Sequence, residues 1–123
     1  MTPNVLAQLS PQAFIAFVIA HFQSRGYMLE ERQDAPAGQL LLFWLDGAMY
    51  VVYCLTNPPL MGQIWDVTSV EVACCVTEAK IQTAACGYVI TRSRFSFGAE
   101  MEARGAGIEI VLVHGETLKR WIV

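Results

Sequence analysis

Two apolar runs, Gln39 to Leu45 and Ala48 to Leu55, flank Asp46-Gly47, and this arrangement most narrows what the chain can become. Asp-Gly suits a two-residue turn with positive φ at both positions, so the runs read as the strands of a hairpin. The turn sets the register: with Leu45 opposite Ala48, Leu40 falls opposite Tyr53. Because side chains alternate along a strand, Leu40, Tyr53 and Leu55 share one face, and Leu41, Phe43, Tyr50, Val52 and Cys54 share the other. Neither face is polar. Both strands are therefore expected inside a sheet, with helices covering each side.

The rest of the chain is punctuated clearly enough to place this hairpin in an order of elements. Ser10-Pro11 offers a cap and a first-turn proline, and Phe14, Phe17, Val18, His21 and Phe22 then recur at helical spacing until Gly26. A short strand is expected from Tyr27 to about Arg32, followed by a loop over Asp34-Ala35-Pro36-Ala37-Gly38. Asn57-Pro58-Pro59 breaks the sheet, and the spacing of Ile64, Val67, Val70, Glu71 and Cys74 predicts helix between Gly62 and about Lys80, in one piece or two. A strand from Gly87 to Thr91, a helix from the Ser96 cap to about Arg104, a strand from Ile108 to Val113 and a short helix from Glu116 to Ile122 complete the chain. The order α-β-β-β-α-β-α-β-α predicts a single α/β domain over residues 1–123, a central mixed sheet flanked by helices in a three-layer sandwich.

Composition excludes several function classes. At 54% hydrophobic and 15% charged residues the chain is too apolar to be disordered, yet no run reaches the roughly 18 apolar residues of a membrane span. No signal-peptide pattern opens the sequence, so a cytoplasmic location is expected. The net charge of −3 argues against a long phosphate-tracking surface, leaving room only for weak, local nucleic-acid binding. Arg92 and Arg94 are the candidates for it, in a loop entering the next helix; the plainer expectation is two surface arginines paired with Glu100 or Glu102. The apolar excess predicts a homo-oligomer or a protein partner, through the helix beginning near Gly62, the Asn57-Pro58-Pro59 loop or the end around Trp121. Cys54, Cys74, Cys75 and Cys86 lack C-x-x-C spacing and read as reduced, buried thiols, and His21 reads as a packed histidine before a functional one.

Three stretches, Leu9-Ser10-Pro11-Gln12-Ala13-Phe14 leading to Gly26-Tyr27, Gly87-Tyr88-Val89-Ile90-Thr91-Arg92-Ser93-Arg94-Phe95-Ser96-Phe97-Gly98-Ala99, and Ile110-Val111-Leu112-Val113-His114-Gly115-Glu116-Thr117-Leu118, resemble the Mrr-like restriction endonuclease family. The correspondence runs in order along nearly the whole chain, with His114-Gly115 where the family usually has Asp-Gly. The resemblance implies the fold of the PD-(D/E)xK nucleases. It also implies a metal site on the central hairpin, where an Asp on the first strand and a Glu or Gln on the second hold magnesium and a Lys two residues on orients or activates water.

Carried over residue by residue, the Asp position is Leu40, the Glu or Gln position Tyr53 and the Lys position Leu55, while a Glu of the family's first helix becomes Ile15. Leucine, isoleucine and tyrosine do not replace the hard oxygen ligands that magnesium requires. The expectation is therefore a catalytically inactive nuclease-like domain, with no cofactor, serving as a binding, assembly or regulatory module beside a DNA-processing partner. Two alternatives stand beside it. One is a divergent metal-dependent endonuclease with ligands moved to Asp34, Asp46, Glu71 or Glu78 and Lys80 as cation, and the other a non-catalytic DNA-binding module.

Overall fold

A computed structural model describes residues 6–56 and 66–122. Helix α1 (Pro11–Ser24) starts where Ser10 Oγ accepts the Ala13 amide at 3.1 Å, and strands β1 (Met28–Ala35), β2 (Gly38–Leu45) and β3 (Ala48–Leu55) follow. The Asp46-Gly47 turn has φ of 51° and 79°, so both central residues take the left-handed conformation of a type I′ turn. Leu45 pairs with Ala48 and Leu40 with Tyr53, the register set by that turn.

Strand β1 is longer than expected, because only Pro36 and Ala37 separate it from β2. Gly38 belongs to the sheet, and a Cβ there would sit 1.9 Å from the Cys54 carbonyl oxygen, so no other residue fits this approach of β2 to β3. Charged Glu30, Glu31, Arg32 and Asp34 lie along β1, an edge strand, and discourage pairing with another chain.

The largest departure lies after the proline-rich segment. Val67, expected in a helix, is in the two-residue strand β4 (Asp66–Val67), and helix α2 (Ser69–Ile81) begins only after Thr68. Thr68 and Glu71 form a reciprocal capping box, the Glu71 carboxylate accepting the Thr68 amide at 3.1 Å. The Thr-Ser-Val-Glu spacing announces that start, and the apolar periodicity masked it. The expected helical residues 62–65 and the Asn57-Pro58-Pro59 loop lie outside the described residues.

Strand β5 (Cys86–Ile90), the short β6 (Arg94–Phe95), helix α3 (Phe97–Arg104), β7 (Ile110–Val113), helix α4 (Gly115–Lys119) and a final 3-10 turn, Arg120–Ile122, complete the order. The five-stranded sheet runs β1-β2-β3-β5-β7, antiparallel through the hairpin and parallel from β3 to β7, while β4 and β6 form a separate parallel pair. Helices α2 and α3 cover one face, packing Val72, Cys75, Val76, Ala79 and Ala99 against Leu40, Leu42, Val51, Tyr53 and Leu55. Helices α1 and α4 cover the other, with Phe14, Ile15, Val18, Phe22 and Leu118 against Leu41, Phe43, Val52 and Cys54. Burying each such side chain contributes about 1.5–3 kcal/mol, which is why a hairpin with two apolar faces sits in the middle.

The C-terminus is fastened to α1 by aromatic contacts. The Trp121 indole lies 3.6 Å from the His21 ring with an interplanar angle of 2°, and Arg25 Nε donates to His21 Nε2 at 3.1 Å. Trp121, in the region offered for partner contacts, itself packs on α1. Burial first, and the neighbouring Arg25 charge second, hold the His21 pKa below its ordinary 6.5. In this case the unfolded chain takes up the proton first as pH falls, so stability is unaffected well above 6.5 and declines as pH drops through that value. Denaturant unfolding at neutral pH and at pH 5 should show this decline, and His21→Gln should reduce it; an unchanged slope would remove His21 as its source.

Candidate functional site

Two places hold the residues singled out in the sequence, and the hairpin face comes first. Leu40 is 6% exposed, Tyr53 1% and Leu55 1%, all three on the face beneath α2. The Tyr53 hydroxyl accepts the Ala37 amide at 3.0 Å, and the Cys74 thiol of α2 lies beside it. Burial pushes the Tyr53 pKa up, so the phenol stays neutral and fills the core with its one polar atom satisfied. These three side chains are buried, so they form no open apolar groove.

Ile15 does not join them. It is 4% exposed but packs on the opposite side of the sheet with Phe14 and Val18. The register argument gathers the three hairpin positions and leaves the helical one a sheet thickness away.

The acidic residues considered as migrated ligands are each engaged elsewhere. Asp34 accepts the Gln39 side-chain amide at 3.0 Å, Asp46 occupies the turn, Glu71 caps α2, and Glu78 accepts the Gln82 amide at 3.0 Å. Among the described residues no three His, Cys, Asp or Glu side chains gather as metal ligands would. The four cysteines are free thiols; burial pushes Cys54 and Cys75 up to about 12, which leaves them without thiolate reactivity near neutral pH.

The second place lies at the carboxyl ends of the parallel strands, and it corrects the reading of Arg92. Arg92 is 8% exposed and is not a surface residue. Its Nη1 donates to the Leu9 carbonyl at 2.7 Å and the Leu6 carbonyl at 3.3 Å, its Nη2 to the Thr56 carbonyl at 3.1 Å, and the guanidinium lies 4.5 Å from the Phe14 ring centre. One side chain thereby joins the segment before α1, helix α1 itself and the end of β3. Burial depresses its pKa, yet an arginine keeps its charge under these conditions. Arg94 is exposed as expected but its partner is Asp66, across the β4–β6 pair, in place of Glu100 or Glu102.

Sequence reasoning missed the neighbours of these arginines. Arg92 and Arg94 line a cavity of about 310 Å³ together with His114, Glu116 and Lys119. His114 Nδ1 accepts the Glu116 amide at 3.2 Å and so caps α4, and Lys119 pairs with Glu116 at 2.9 Å. The one available signal was His114 itself, standing where the resembled family usually has Asp. Gly115 is fixed by the same crowding, since a Cβ there would lie 2.7 Å from the Arg92 carbonyl oxygen.

Comparison with known proteins agrees with this architecture. The Mrr_cat model, described as restriction endonuclease, matches residues 6–122. Among solved structures, the chain is similar to the MspJI restriction endonuclease in complex with a 27-mer oligonucleotide, at 20% identity and a TM-score of 0.54, over 87% of this chain and 25% of that one. It is also similar to AF1548, a protein of unknown function, at 16% identity and a TM-score of 0.55, over 82% of this chain and 60% of that one. The chain thus spans less than two thirds of either neighbour, and at these identities the likeness speaks to fold. No curated protein gives a significant match.

Proposed function

The chain belongs to the Mrr_cat restriction endonuclease family, and from that membership we propose that it is a nuclease-type domain without catalytic activity, one domain over residues 1–123, acting as a binding, assembly or regulatory module beside a DNA-processing partner. The observation that carries this reading is the hairpin face. Leu40, Tyr53 and Leu55 stand where the family resemblance puts an Asp, a Glu or Gln and a Lys, and all three are sealed under α2. Replacing metal ligands by apolar side chains removes both the charge that stabilises a phosphoryl transition state and the water it activates. Incubation with plasmid, linear or methylated DNA and magnesium or manganese should leave the DNA as a buffer control leaves it. Metal-dependent cleavage that disappears on substitution of one carboxylate would overturn the proposal in favour of a divergent endonuclease.

Assembly with a second copy or another protein is supported by large apolar side chains left exposed, Phe97 on α3, Val70 on α2 and Met28 on β1 foremost. Light scattering over a dilution series should give a mass above 13.6 kDa. A monomer at every concentration sinks the homo-oligomer. A non-catalytic DNA-binding module is a further reading, favoured by exposed Arg94 and by the oligonucleotide bound to MspJI.

A further inference from the structure

The cavity at the carboxyl ends of β5 and β7 combines features that an inactive assembly module does not need. It is lined by three permanent cations, Arg92, Arg94 and Lys119, against one carboxylate, Glu116. Arg92 is more than nine-tenths buried, and its Nε is a buried donor with no hydrogen-bond partner among the described residues. Among the described residues its guanidinium meets carbonyl oxygens and an aromatic ring but no carboxylate. A buried charge without a counter-charge is costly, and an unsatisfied buried donor adds to that cost.

His114 points to the same chemistry. Because its Nδ1 accepts the Glu116 amide, the proton of the neutral ring sits on Nε2, so the imidazole offers a donor. With Leu6 and Ala7 on its wall, the cavity has room for a body attached to an anionic group.

We propose that this cavity is a binding site for a small phosphomonoester, with Arg92, Arg94, His114 and Lys119 receiving the phosphate. A phosphate supplies the counter-charge that the buried Arg92 lacks, and hydrogen bonds from guanidinium and ammonium groups to phosphate are among the stronger charge-assisted ones. Arrival of the anion competes with Glu116 for Lys119 and with Asp66 for Arg94, which keeps affinity moderate. The site lies apart from the hairpin face, so the result of a cleavage assay does not bear on it.

Calorimetric titration of the whole chain with inorganic phosphate and with adenosine monophosphate, at constant ionic strength, tests the site. Saturable binding in the millimolar range or tighter is expected. The Arg94→Ala, Lys119→Ala double variant changes only side chains that are about half exposed or more, and should fold normally while weakening binding about tenfold or more. Glu116→Gln should tighten it. A stronger response to the nucleotide identifies the cavity wall as a contact for the ligand's body, and equal responses identify the phosphate alone as the recognised group; each supports the site. No saturable binding of either probe, or binding indifferent to both variants, overturns it.

Discussion

Leu40→Asp is expected to destabilise the protein by about 3–5 kcal/mol, because it removes a buried leucine and places a carboxylate among the apolar side chains under α2. For a small domain that is a large part of the total stability. Urea unfolding of Leu40→Asp against Leu40→Met should separate loss of the apolar group from mere change of shape, since the methionine is expected to cost less than about 1.5 kcal/mol. The deficit should shrink on acidification, as protonation of the buried carboxyl removes its charge. A folded, fully stable Leu40→Asp protein would mean that the face still accommodates a charged group, and would weaken the case for an inactive module. Restoring Asp, Gln and Lys at positions 40, 53 and 55 together is accordingly expected to unfold the domain before it restores cleavage.

Arg92→Ala is the second large effect, again about 3–5 kcal/mol, since it strips donors from the Leu6, Leu9 and Thr56 carbonyls and removes the contact with Phe14. Arg92→Lys should recover less than half of the loss. Its single nitrogen keeps the charge but does not reproduce a planar fork that reaches carbonyls on two separate segments. Chemical denaturation measures both variants, and limited proteolysis ahead of α1 reports whether the chain near Leu6 has been released. Losses below about 1 kcal/mol in both variants would show that Arg92 is incidental to the fold.

The hairpin was legible because its turn chemistry and its period-two pattern agree, and pairing of Leu45 with Ala48 fixes every other pair along the two strands. Leu40, Tyr53 and Leu55 could therefore be gathered on one face from sequence alone. Helix α3 was legible for the same reason of local agreement, with Ser96 as cap and Gly105 after its end. The start of α2 was misread where two local signals disagreed: Val67 kept the helical spacing, but the Thr68–Glu71 capping box decided the boundary. Arg92 was misplaced for a different reason. Its burial depends on carbonyls of Leu6, Leu9 and Thr56, and nothing within a few residues of Arg92 announces them. The same holds for Asp66 opposite Arg94, a contact made by pairing β4 with β6.

The contrast between these two kinds of contact has a kinetic consequence. The Asp46-Gly47 hairpin closes over two residues, and such a turn forms in about 1–10 μs in isolated hairpins. The Arg92 bonds to Leu6 and Leu9 span 86 and 83 positions, so the chain must surrender the entropy of a very long loop before they reward it. They belong to the late, downhill side of folding, where an interaction governs how long the native state lasts more than how fast it is reached. The loss in Arg92→Ala should therefore appear mainly as faster unfolding, with the refolding rate little changed. Arg92 works as a latch, closed after the sheet has assembled and setting the lifetime of the assembled domain.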